Sequence, residues 1–272
     1  MHSTPRRSRS AAAIAVAACF AAFSAQAALV DVTVTVHNLQ PANSVSFAAL
    51  HLGFHSGSFD AFNIGDVATA PIIEVAERGT GAAWQAAFAA ADPGATRGTV
   101  AGRLDPGATR STTFRVDTSA NRYFSFASMV VPSNDFFVGN DDPMKYLLLD
   151  AAGSLLIPSI TVGASEIWDA GSEIFDPAAA AFVGNSALRR DQNSVVAFNF
   201  AELTGFNGLT TAAGTTFSSA LNANSQIYRI SFEVSPVPEP GSLAMLTAGL
   251  LGVGFLVRRR RGNDNPGAMS AA

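Results

Sequence analysis

The sequence is poor in charge. Asp, Glu, Lys and Arg make up 14% of the 272 residues, against about 25% in an average soluble chain, whereas apolar residues make up 48%. That balance excludes an intrinsically disordered chain, which needs high net charge and few apolar groups. It also excludes a long coiled coil, whose flanking positions need abundant Glu and Lys. Acidic residues outnumber Lys and Arg by 21 to 17, which argues against a nucleic-acid partner. Cysteine is nearly absent: Cys19 is the only one, so no disulfide framework can hold the fold. Catalytic signatures are missing as well. There is no H-E-x-x-H, no G-x-S-x-G and no phosphate-binding glycine loop of familiar spacing.

What charge there is collects at the ends. Arg6, Arg7 and Arg9 open the chain, and Arg258 to Arg261 lie near its close. With these, Glu239 and Asp264 set aside, ten basic and nineteen acidic residues remain, a net charge of −9. The first arginines precede an apolar stretch, Ala11 to Phe23, and then Ala25-Gln26-Ala27. This is the layout of a secretory signal over residues 1–27, cut by signal peptidase after Ala27. An alternative is that Val16-Ala17-Ala18-Cys19 acts as a lipobox, giving a membrane-retained lipoprotein adhesin.

At the other end, Pro238-Glu239-Pro240 is followed by an apolar run, Gly241 to Val257, and then the four arginines. The run is at the short limit for a membrane helix, and the arginines would hold the tip, residues 262–272, in the cytoplasm. The three features in this order, residues 236–261, resemble the PEP-CTERM sorting signal of Gram-negative bacteria. That resemblance implies an exosortase as partner, passage through the inner membrane, cleavage near the motif, and release or attachment at the cell surface. It also implies association with exopolysaccharide and biofilm. The bland alternative is a permanent tail anchor.

Between the ends, residues 28–235 read as one all-β domain. Val30-Asp31-Val32-Thr33-Val34-Thr35-Val36 alternates apolar and polar residues as a half-buried strand does. Further strands are expected at Ser44–Leu50, Ser111–Val116, Tyr123–Val131, Tyr146–Leu149, Ile157–Val162, Ser194–Phe200 and Gln226–Val234. Turn clusters such as Asp92-Pro93-Gly94 and Asn140-Asp141-Asp142-Pro143 separate them. One helical region is expected, Ile72 to Glu77 with Trp84 to Ala91. Many strands without alternating long helices predict an antiparallel β-sandwich, with seventeen of the chain's twenty phenylalanines available for its core.

Three stretches carry a second resemblance: LGFHSGSFDAFNIGD from Leu52, YFSFASMVVPSNDFFVG from Tyr123 and IWDAGSEIFD from Ile167. Together they resemble the spondin N-terminal domain, over roughly Val32 to Val234. The resemblance implies a compact extracellular β-sandwich. Animal members of that family are matrix and adhesion proteins with a bound calcium. They carry PSPDW where this chain has Pro132-Ser133-Asn134-Asp135-Phe136, and an aspartate where it has Glu173. Read with that resemblance, Asp135 and Asp169 are the leading metal ligands, with Asp117 a third and Glu173 a weaker fourth. The three aspartates fall at strand ends, and calcium takes six to eight oxygens.

His51 and His55 are four residues apart, but in a Gly-rich stretch they read as hydrogen-bonded loop residues rather than zinc ligands. The reading that follows is a non-enzymatic, exported binding or structural protein with a structural calcium. The alternative is a glycan-active module, because two suitably spaced carboxylates are all that glycosidic cleavage requires.

Overall fold

The computed structural model describes residues 29–211 and 214–237, together with Gly249. Cys19, the expected cleavage site Ala25-Gln26-Ala27, the motif Pro238-Glu239-Pro240 and Arg258 to Arg261 lie outside the described residues, as does the apolar run apart from Gly249. Among the described residues no helix is long and apolar enough to cross a membrane.

The chain forms β1 (Leu29–Asn38), β2 (Ser46–Phe47), β3 (Leu50–His55), α1 (Ala70–Arg78), α2 (Ala82–Ala91), β4 (Thr96–Val100), β5 (Thr109–Asp117) and β6 (Tyr123–Val131). There follow β7 (Phe136–Gly139), β8 (Ser159–Gly163), β9 (Ile167–Asp169), a short α3 (Phe200–Leu203) and β10 (Gln226–Pro236). Two antiparallel sheets result. One has the order β5-β1-β10-β8 and the other β4-β3-β6-β7-β9, with β2 added on β6.

β1 owes its place to its alternation. Val30, Val32, Val34 and Val36 are buried between the sheets, and Asp31, Thr33 and Thr35 face outward. There the Thr33 and Thr113 hydroxyls meet across the strand pair at 2.8 Å. This is the one-sided sheet that antiparallel pairing permits.

β6 is different, because it is buried on both faces. Phe124, Phe126 and Val130 join the inter-sheet core, while Ala127 packs with Ile72 and Val75 of α1 and Trp84 and Phe88 of α2. The two helices therefore make a third layer, larger than the single helical region expected. α1 is bounded by Pro71 in its first turn and by Gly79, whose left-handed φ of 66° lets its N–H close onto the Val75 carbonyl.

Aromatic rings tie the sheets together: Phe124 meets Phe232 edge-on at 4.9 Å, and Phe47 meets Tyr228 at 4.7 Å. Burying each such ring contributes about 1.5–3 kcal/mol relative to exposure.

Two expected strands are not ladders. In 194–200, Val195 bridges Val67 while Ala197 bridges Asp169, so neither partner is followed for more than one step, and Phe200 turns into α3. In 146–149, Leu147 bridges Tyr123 and Leu149 bridges Leu155, for the same reason. The expected strand Ser44–Leu50 divides into β2 and the start of β3. His51 and His55 lie within β3, not in a loop, and both are buried.

Candidate functional site

The segment linking β6 to β7 is fixed by its own side chains. Ser133 Oγ donates to the Val130 carbonyl at 2.7 Å and accepts the Phe136 N–H at 3.0 Å, closing the turn. Asn134 clamps Asp176 from both sides, donating to its carbonyl at 3.2 Å and accepting its N–H at 3.1 Å. Between them Asp135, 1% exposed, points its carboxylate into the structure. Its Oδ2 accepts the N–H of Ser172 (2.7 Å), the Ser172 hydroxyl (3.1 Å) and the N–H of Glu173 (3.0 Å).

Asp169 ends β9 directly opposite Phe136 of β7, so register brings it beside Asp135. Its Oδ1 accepts the Gly171 N–H at 2.7 Å and its Oδ2 the Asn199 side chain at 3.0 Å. Gly171 has φ 67°, and a Cβ there would lie 2.8 Å from the Ser194 carbonyl carbon, so this close turn needs glycine.

Burial, and then the neighbouring Asp169 charge, push the Asp135 carboxyl up to about 7 despite its three hydrogen bonds. A buried carboxylate beside a second, half-buried one is repelled by it. Glu173 stands behind it. Burial raises its carboxyl to about 7 against the pull of Arg189, whose Nη1 lies 3.2 Å from Glu173 Oε1, and Glu77 and Asp135 add to the rise. Its Oε2 is buried without a hydrogen-bond partner. On the far side of Asp169, the Glu202 carboxyl is raised by burial and then by the Asp169 charge, with the Asn199 hydrogen bond opposing.

The structure thus gathers Asp135, Asp169 and Glu173 at one end of the six-stranded sheet. Asp117 does not join them. It ends β5 at the Tyr123 end of β6, where its Oδ1 accepts the Ser119 N–H and hydroxyl. Asp135 follows the Val131 end, and a nine-residue strand is about 26 Å long. Among the described residues, no three His, Cys, Asp or Glu side chains form a group that could hold a metal. Sequence reasoning did not single out Asn199, Arg189 or Ser172, which complete the site from loops with no periodicity or motif to flag them, nor Glu202, which lies in the short α3.

His51 and His55 hold the helical layer. Gly57 N–H donates to His55 Nδ1 at 3.0 Å, which leaves Nε2 to donate to Ser125 Oγ at 2.9 Å. Burial drives His55 down to about 4. Each ring is bound to a hydroxyl or to backbone, the arrangement of structural histidines.

Two packed antiparallel sheets under a helical layer, with a carboxylate-rich loop cluster at one end, make this an all-β sandwich protein. Residues 35–172, just over half of the chain, match the family model Spondin_N, and the chain belongs to that family. Residues 236–261 match the PEP-CTERM protein-sorting motif. A search of curated proteins gives no match. The sorting motif marks the chain for export across the inner membrane, to the cell surface or to secretion, with processing by an exosortase. The spondin domain is of the extracellular-matrix type. Beyond the matched segment the fold continues, because β10 lies between β1 and β8 in the four-stranded sheet.

Proposed function

We propose that this exported protein is a calcium-stabilised, non-enzymatic binding or structural component of the exopolysaccharide matrix. The observation that carries the calcium reading is the pair Asp135 and Asp169. One of these carboxyls is forced up to about 7 by burial and by the other's charge. A cation between them would remove that repulsion. The residues fit this role in chemistry: all three hydrogen bonds to Asp135 fall on Oδ2, and Oδ1 receives none of them. Glu173 is already neutralised by Arg189 and is a neighbour of the cation rather than a ligand.

The same burial weighs against a glycan-cleaving role. A catalytic acid must reach its substrate, and the two carboxyls with values near neutrality, Asp135 and Glu173, are 1% and 4% exposed.

The test is thermal unfolding with millimolar calcium and then with excess chelator. A cation that binds only the folded state adds about 2.7 kcal/mol at one hundred times its dissociation constant. The calcium-dependent rise is expected to vanish in Asp135→Asn and Asp169→Asn and to persist in Asp117→Asn. A melting temperature indifferent to chelator, with no metal found by elemental analysis, refutes the reading.

A further inference from the structure

In the central region acids outnumber bases nineteen to ten, so a local gathering of arginines is unexpected. Three arginines, Arg78, Arg103 and Arg110, line one cleft of about 500 Å3. Each comes from a different part of the fold: the last residue of α1, the turn after β4 and the start of β5. Gly102, at φ 93°, turns the chain there and brings its backbone alongside the Arg110 guanidinium.

Among the described residues Asp105 is the only acid in the cleft lining, and Arg103 occupies it, with Nε 2.6 Å from Oδ1 and Nη2 donating to Oδ2 at 3.2 Å. Arg110 donates, among the described residues, only to the neighbouring Thr109 carbonyl, at 3.0 Å. Among the described residues the Arg78 side chain has no hydrogen-bond or ion-pair partner.

Phe182 lines the same cleft. It is 52% exposed and has φ 64°, a backbone conformation that bulky residues rarely adopt and that persists only where the surroundings impose it. They do so here: Ala181 N–H is bound to the Ser133 carbonyl at 2.9 Å, and Gly184 N–H to the Ala180 carbonyl at 2.8 Å. A smaller cleft of about 290 Å3 shares Arg103, Asp105 and Phe182 and adds Ser44 and Ser46. The groove therefore runs from unpaired guanidinium groups, past an exposed ring, to hydroxyls.

We propose that this groove binds an acidic polysaccharide, with Arg78 and Arg110 receiving sugar carboxylates and Phe182 lying under the apolar face of a sugar ring. The guanidinium fork matches a carboxylate with two parallel hydrogen bonds. An aromatic ring offers large apolar area with few rotatable bonds to immobilise. The main cleft falls in the range of small-ligand sites, about 300–1,000 Å3. Duplex nucleic acid suits the site less, since it tracks a long basic stripe, whereas this cleft offers a few guanidinium groups beside one apolar ring. The proposal rests on the polysaccharide half of the proposed function and names its site and ligand class.

The test is calorimetric titration of the full chain, purified in mild detergent, with sodium alginate (a linear polyuronate), neutral dextran and duplex DNA at physiological salt. Alginate is expected to bind and dextran not to. Arg78→Gln with Arg110→Gln is expected to weaken alginate binding at least about tenfold, since each charged hydrogen bond lost costs about that factor or more. Phe182→Ala is expected to weaken it independently, with both variants melting as the wild type does. Unchanged alginate binding in the arginine variant places the polyanion elsewhere and overturns the site. Binding of duplex DNA as tight as that of alginate overturns the ligand class. No alginate binding by the wild type overturns this proposal and the polysaccharide half of the proposed function, and leaves the calcium result standing.

Discussion

Replacing Arg189 by methionine removes the single cation that holds Glu173 in the interior. The Glu173 side chain is 2% exposed, its Oε1 pairs with Arg189 Nη1 at 3.2 Å, and its Oε2 has no partner. Arg189 also ties its loop to α1, donating from Nη2 to the Glu77 carbonyl at 3.3 Å. Breaking a buried pair from one side costs about 3–5 kcal/mol. The lower end is expected near neutral pH, because the carboxyl already stands at about 7 and, without Arg189, climbs higher and takes up a proton. A folded-state value above the ordinary 4.5 means that the folded protein binds more protons than the unfolded chain. Stability from this group is therefore full at low pH and is lost as pH rises through the folded value. The penalty of Arg189→Met should accordingly grow from pH 5 to pH 8. Urea denaturation followed by the fluorescence of Trp84, buried in the helical layer, measures it at each pH. The double variant Glu173→Leu, Arg189→Met should recover most of the loss at pH 8, since apolar replacement of a buried pair is often neutral or stabilising. A penalty below about 1 kcal/mol at both ends of the range refutes the reasoning, since that is the worth of an exposed ion pair.

Two further outcomes follow from the helical layer. His55 is neutral when folded and stands near 4 against 6.5 in the unfolded chain; its share of stability is lost as pH falls from 6.5 toward 4, by up to about 3 kcal/mol. Asp135 and Glu173 pull the opposite way over the same interval, so the check is the pH dependence of His55→Gln minus that of wild type, which should show that loss removed. Gly53→Ala should destabilise by about 1–3 kcal/mol, because its Cβ would enter the Phe88 ring; Phe88→Leu in the same chain should return part of that in urea unfolding, and an additive pair would count against the steric cause.

The strands legible in the sequence are those whose two faces meet different surroundings. β1 alternates Val with Asp and Thr because one face is core and the other solvent, and β6 stands out as an unbroken apolar run because helices cover its second face. β4 reads Thr-Arg-Gly-Thr-Val and gives no such signal. Its Gly98 is required by packing, since a Cβ there would strike the Phe114 ring of β5, yet glycine lowers strand propensity. The segment 194–200 shows the reverse error. Its alternation comes from lying between Asp66 and Asp169, with Val196 N–H bonded to one carbonyl and Ala197 N–H to the other, rather than from a place in a sheet.

The same distinction governs the site. Asp135 and Asp169 were legible because each sits in a recognisable run, and β7–β9 register then places them side by side. Asp117 has the same local credentials, an acid at a strand end, but a strand has two ends, and the residue spacing alone does not say which ends converge. The antiparallel register decides it: β6 carries the chain away from the Asp117 turn before Pro132 begins the loop that holds Asp135. Arg189 and Asn199 were illegible for a different reason. They act through contacts made by irregular backbone, where no period relates a residue's position in sequence to the direction its side chain takes. The arginine cleft belongs to that class too. Arg78, Arg103 and Arg110 are isolated basic residues in an acidic chain, and only the turns at Gly79 and Gly102 bring them to one place.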